Sequence, residues 1–226
     1  MNKTSERKTM TTLTTLATRG VFVLLPVLLC ASCSTSKVWV TAQDVAGLAS
    51  SSPPPISMRV GLFIPEDLKN FNWAEPFGRG RSEWLAGVEI QAMIEQAARR
   101  MFREIVPVTA AETAKDFQAK NLDALVSVGF ITVTEVPLAG SRLVGERLYK
   151  VDVGGQWDVS SPDGKRLFFT KPSGHAETKM PFPMGPTTAR ELLKKTFVVA
   201  FNDYFGKVTA EITASGWWKD TSWRNK

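Results

Sequence analysis

Catalysis requires a base, a nucleophile or a set of metal ligands, and this chain offers few of each. Its 226 residues include one histidine, His175, and two cysteines, Cys30 and Cys33. A serine hydrolase would have to use that imidazole. No Gly-x-Ser-x-Gly elbow is present, and Lys171-Pro-Ser-Gly-His-Ala176 reads as a loop that leaves His175 exposed. Zinc would need a cage of carboxylates, and the acids follow no ligand spacing. Gly78-Arg-Gly-Arg-Ser82 lacks both the Lys-Ser/Thr end of a phosphate-binding loop and the third glycine of a dinucleotide fingerprint. What remains for acid–base work is Glu66, Asp67, Glu75 and Glu83, which a glycan-cleaving enzyme could pair across a cleft. The expectation is a protein with no catalytic residue, no metal and no cofactor.

Binding has better material. The stretch from Phe71 to Trp84 reads as a long loop that mixes Trp73, Phe77 and Trp84 with Arg79 and Arg81. That is the composition of protein interface anchors and of sugar-stacking platforms, although the rings could also fold back as a lid on the core. The tail after Ser215 carries Trp217, Trp218 and Trp223 beside Lys219, Arg224 and Lys226. Three destinations stay open for it: the chain's own domain, a groove on a partner, or a bilayer surface.

The amino-terminal residues say where such binding would take place. Lys3, Arg7, Lys8 and Arg19 precede the apolar run Val21–Ala31, which as a helix would span about 16 Å, half a bilayer core, and so reads as a signal-peptide core rather than a membrane span. Leu28-Leu-Cys-Ala-Ser-Cys33 then resembles the lipobox of bacterial lipoproteins, with small Ala31 and Ser32 before Cys33. The resemblance implies cleavage after residue 32, lipid on Cys33 and, with Ser34 following, sorting to the outer membrane with the chain facing the periplasm. Removing residues 1–32 takes four basic and one acidic residue, so the net charge falls from +6 to +3. No concentrated basic face is left for nucleic acid. Residues 33–57, rich in Ser, Thr, Ala and Pro, read as a tether, with Val38-Trp-Val40 as an apolar island that is either a short strand or a segment that docks on the domain or a partner.

The elements that must position these residues follow from periodicity. Met58–Ile64 is a strand covered on both faces, and Ile90, Met93, Ile94, Ala97, Ala98, Met101 and Phe102 form one stripe of a helix over 87–102. Ile105–Val108 is a strand held to an edge or an end by Pro107. Thr109-Ala-Ala-Glu112 is a capping box opening a short helix toward Lys120. Single long strands are expected over 124–136 and 148–159, with Ser161-Pro-Asp-Gly164 as a hairpin turn and 166–170 as the returning strand. The segment 172–186 reads as a Gly/Pro-rich loop, and Thr188-Ala-Arg-Glu191 as the start of a final helix with Leu193, Phe197, Ala200, Phe201, Tyr204 and Val208 on one face, interrupted near Gly206.

One wet sheet face and singly striped helices imply an α+β two-layer sandwich, a mixed and largely antiparallel sheet with two or three helices on one face, in a single domain over 58–212 followed by a tail over 213–226. The element order, with Asp123-Ala-Leu-Val126 and the Asp163-Gly164 hairpin, resembles the α/β domain of envelope proteins such as the amino-terminal domain of TolB, CsgG and PelC. A weaker likeness is to auxiliary lipoproteins of envelope transport systems. These resemblances imply a non-enzymatic outer-membrane lipoprotein that binds an envelope protein complex or peptidoglycan-associated machinery, with homo-oligomers among its partners. A glycan-acting enzyme and a lipid or small-ligand carrier are the competing expectations.

Overall fold

The computed structural model describes residues 36–37, 40–45, 54–77, 80–110, 112, 114–129, 131–138, 145–182 and 185–220; for 36–37, 72–77, 80–86, 135–138, 145–147, 182 and 186 it describes the backbone alone. The chain divides into two compact units. The smaller comprises Met1–Lys37 and Ala74–Glu83. Here β1 (Ser36–Lys37) runs parallel to β4 (Gly80–Ala86), Ser36 opposite Ser82, in a three-stranded sheet of order β1-β4-β3, with β3 spanning Asn72–Phe77. The stretch expected to be a loop is therefore largely extended. The aromatic residues Trp73, Phe77 and Trp84 favour extended chain, a signal that the Gly and Pro residues obscured.

The larger unit comprises Val38–Trp73 and Trp84–Lys226. In its five-stranded sheet β2 (Ile56–Phe63) lies between β5 (Phe102–Val108) and β6 (Ala124–Val128) and is parallel to both. Parallel neighbours need crossovers. The first includes α1 (Glu66–Lys69) and α2 (Gly87–Met101), and the second holds α3 (Ala114–Ala119). Six residues of the expected stripe are buried on α2, whereas Phe102, expected to end the helix, is buried as the first residue of β5, which ends the sheet as Pro107 requires. Asp123 locks β6 to β2: its carboxylate accepts the Arg59 amide at 2.7 Å, and its own amide donates to the Arg59 carbonyl at 2.8 Å.

The rest of the sheet structure is three long strands bent at one level. β6 continues into β7 (Thr132–Leu138), β8 (Gly145–Gly154) into β9 (Trp157–Ser160), and β10 (Arg166–Thr170) into β11 (Ser173–Phe182). Below the bend, β10-β9-β6 complete the five-stranded sheet, and above it β11-β8-β7 form a three-stranded antiparallel one. The single strands expected over 124–136 and 148–159 are thus each two segments. At the bend, Trp157 faces Val128 and Thr170, whereas Gly154 faces Thr132 and Ser173. Gly155 lies inside it because a Cβ there would stand 2.3 Å from the Tyr204 hydroxyl.

The expected loop over 172–186 is corrected to β11, which runs antiparallel to β8 over ten residues. Its alternation is clean: Gly174, Ala176 and Met180 are buried, whereas Ser173, His175, Glu177 and Lys179 are exposed. The final helix, α4, runs without interruption from Pro186 to Ala214, so Gly206 does not break it. It starts at Pro186 rather than at the expected Thr188–Glu191 box, since proline is pre-organised for the first helical turn. Leu193, Phe197, Ala200, Phe201, Tyr204, Phe205 and Val208 are buried along it. α4 packs on β8, β10 and β11, while α2 packs on β2 and β5 and touches α4. Helices over a mixed, mostly antiparallel sheet make this an α+β architecture of two layers, as expected. Among the described residues no helix is long and apolar enough to cross a membrane.

Candidate functional site

β11 is the outermost strand of its sheet, and α4 runs along it. Glycine sets how closely they approach, because a Cβ on Gly174 would lie 2.2 Å from the Ala200 carbonyl oxygen and 2.4 Å from the Tyr204 nitrogen. Toward the helix amino terminus the two elements part. An open groove of about 500 Å³ separates residues 175–178 of β11 from Leu192, Lys195, Thr196 and Val199 of α4. Val199 is 55% exposed at its rim, one of few large apolar side chains so placed among the described residues.

Polar groups on the β11 side are mostly engaged with one another. His175 Nδ1 is 2.7 Å from Asp152 Oδ1, and its Nε2 is 3.2 Å from Glu177 Oε1. Asp152 stands opposite His175 across the β8–β11 ladder, so strand register brings the first pair together. With a carboxylate on each ring nitrogen, neither nitrogen is turned to a hydroxyl as a base would be. On the helix, Asp203 accepts the His175 backbone amide at 3.0 Å and the Lys207 ammonium at 2.8 Å; Lys207 also donates to the Ser173 carbonyl at 2.8 Å. The Lys207 ammonium holds the Asp203 carboxyl below the usual carboxylate range, with help from the His175 amide and against partial desolvation. Lys195, by contrast, has no ion-pair partner among the described residues, while its neighbour Lys194 is held by Asp44 at 2.9 Å.

That pair belongs to a docked segment of the expected tether. Val40, Ala42 and Val45 are buried, and the Ala42 amide donates to Glu89 on α2 at 3.2 Å. Asp44 accepts the Thr41 amide and hydroxyl, each at 2.8 Å. Partial burial raises its carboxyl pKa, but these bonds and Lys194 outweigh that and leave it lowered.

The residues singled out from the sequence fall elsewhere. Cys33, Arg79 and Trp223 lie outside the described residues. Trp73 and Phe77 stand on β3, and Arg81 and Trp84 on β4, with only their backbones described. Trp217 is 9% exposed and packs against Phe102 at a tilt of 47°, ring centres 6.5 Å apart, so this ring is used by the chain's own domain. Trp218 is half-buried under the Lys219 ammonium, 5.1 Å from its ring centre. Of the four acids weighed for glycan cleavage, Glu66 and Asp67 are exposed on α1, where Glu66 pairs with Lys69 at 2.9 Å; Glu75 and Glu83 are described in backbone only. Among the described residues no three His, Cys, Asp or Glu side chains are grouped to hold a metal. The sequence reading passed over Lys195, Val199 and the β11 edge. The even/odd alternation of 173–180 was the signal that could have located them.

No family model matches this chain, and neither does any curated protein. Among solved structures it is similar to a minor lipoprotein from Acinetobacter baumannii, at 12% identity and a TM-score of 0.40 over 72% of this chain and 95% of that one. It is similar to a DUF330 protein from Xanthomonas campestris, at 9% identity and a TM-score of 0.43 over 84% and 99%. It is also similar to a neuraminyllactose-binding hemagglutinin homolog from Helicobacter pylori, at 13% identity and a TM-score of 0.43 over 77% and 95%.

Proposed function

We propose that this chain is a lipid-anchored protein of the bacterial envelope, attached through Cys33 to the outer membrane and facing the periplasm, that works by binding another envelope component rather than by catalysis. The observation that carries the binding role is the groove between β11 and α4, whose lining combines a cation unpaired among the described residues, an exposed apolar residue and a sheet edge. The anchor is supported by the Ala31-Ser-Cys33 motif after an apolar core too short to span a bilayer. Confinement to a thin layer raises the effective concentration of such a protein near its partners, so modest affinity suffices.

The test is metabolic labelling of cells with radioactive palmitate, followed by cross-linking and purification of the full chain in mild detergent. Wild type should carry label, fractionate with outer membranes and bring an envelope protein complex with it. Cys33→Ala should lose the label and the complex together. An unlabelled wild type, or a labelled one recovered alone as a monomer, overturns the reading.

A further inference from the structure

The edge of β11 is closed at both ends and open in the middle. In an antiparallel ladder the amide and carbonyl of one residue point to the same side, alternating along the strand. The His175 amide points away from β8, to Asp203, so the outward set is Ser173, His175, Glu177, Lys179 and Pro181. Lys207 covers the Ser173 carbonyl, Asp203 covers the His175 amide, and Pro181 has no amide to offer. Proline and charged caps are the devices that keep a sheet edge from pairing. Between them, the His175 carbonyl and both backbone groups of Glu177 meet no partner among the described residues, and they face the groove.

What fits there is a polypeptide backbone. Donors and acceptors repeating every second residue along a strand are matched by another extended chain at the 4.7–4.9 Å strand spacing. A second copy of this domain is disfavoured because its β11 would bring its own α4 into space already held by the first α4, whose Asp203 and Lys207 reach the edge. A single strand carries nothing beneath it. Its inward side chains would lie on Val199 and Leu192, and Lys195 supplies an unanswered positive charge, since Glu177 is engaged by His175 and Lys194 by Asp44.

We propose that the open edge of β11 and the facing flank of α4 take up an extended segment of another envelope protein as an added strand, with an apolar side chain on Val199 and a carboxylate on Lys195. This rests on the binding role proposed above and names the partner's chemistry. It is tested separately, because palmitate labelling does not depend on the groove.

The probes are fluorescein-labelled decapeptides of alternating Val and Thr with a central Glu, the same with a central Lys, and the Glu peptide N-methylated at alternate residues. Binding to the full chain in detergent is followed by fluorescence anisotropy. The Glu peptide should bind best, and N-methylation should weaken it about tenfold or more by removing backbone donors. Glu177→Pro removes one outward amide without touching the β8 ladder and should weaken binding similarly, with the urea midpoint unchanged. Lys195→Glu, a surface change that cannot impair folding in the same way, should reverse the preference between Glu and Lys peptides; Val88→Glu, at an exposed site on α2, should change nothing. Failure of all three peptides to bind at millimolar concentration overturns the proposal, as does equal binding of the N-methylated peptide. Self-association in sedimentation that is abolished by Glu177→Pro would also overturn it and make a second copy the occupant.

Discussion

Tyr204→Phe is the most informative single change in the core. The Trp157 indole donates to the Tyr204 hydroxyl at 2.9 Å, and both side chains have no exposed surface. Removing one oxygen leaves the indole N–H buried without an acceptor, which costs about 1–3 kcal/mol. Urea unfolding followed by far-UV circular dichroism at pH 7 should show that loss as a lower midpoint at unchanged slope. In the Trp157→Phe background the donor is already gone, so the hydroxyl's removal should cost about 1 kcal/mol less. The same residue sets an alkaline response. Burial raises the Tyr204 pKa, outweighing the indole bond that lowers it. Below about pH 10 both folded and unfolded chains keep the proton; above it the unfolded chain releases it first, and stability falls by about 1.4 kcal/mol per pH unit. Tyr204→Phe removes that slope, so the gap between wild type and variant should narrow by about 1 kcal/mol between pH 10 and 11. Equal midpoints at pH 7 with parallel alkaline profiles would refute the assignment of this hydrogen bond as the link between α4 and the bend.

Gly174→Ala should destabilise by about 3 kcal/mol in the same urea assay, because the added methyl meets helix backbone that cannot step aside. Gly206→Ala should do the opposite, raising stability by about 0.5–1 kcal/mol, since Gly206 is helical and exposed and a Cβ there meets nothing within 4 Å. Asp44→Asn should loosen residues 41–45, seen as faster amide hydrogen exchange in that segment alone. In wild type the same protection should be complete above about pH 4 and be lost as pH falls through the lowered pKa of Asp44, because the unfolded carboxyl takes up its proton first.

What was legible from residues alone was what repeats. The α2 stripe and the α4 stripe each recur every three to four residues, and every apolar residue named on them is buried. The alternation of the 148–159 segment was also legible: of Tyr149, Val151, Val153, Trp157 and Val159, read as one face, the last four are buried and Tyr149 is half-buried. The bend was not, because two residues separate β8 from β9 and the period of two passes through unchanged. β11 was hidden by composition: Gly174 and Pro181 resemble loop residues, yet the first makes room for α4 and the second stands on an edge that needs no donor there. The groove was hidden for the same reason, since it exists only where that strand and the helix diverge. Of the expected island Val38-Trp-Val40, Val40 is fully buried and the other two lie outside the described residues, while the Asp44–Lys194 pair joins residues too far apart in sequence for spacing to reveal.

The shared bend of the three long strands also governs how this chain tolerates changes of length. Three residues, 129–131, cross it between β6 and β7, whereas two cross it between β8 and β9 and two between β10 and β11. The odd count reverses which side of the strand faces inward: Ala124, Val126 and Val128 are buried, but Thr132 and Thr134, also even-numbered, are exposed. An extra residue inside a paired strand would carry that reversal through its ladder. At the bend it is absorbed between one sheet and the next, so each sheet can keep its own inward set while the chain between them lengthens or shortens. Single-residue gaps between distant sequences sharing this architecture therefore belong at the bend, and the two sheets can diverge in pattern independently even though three strands run through both.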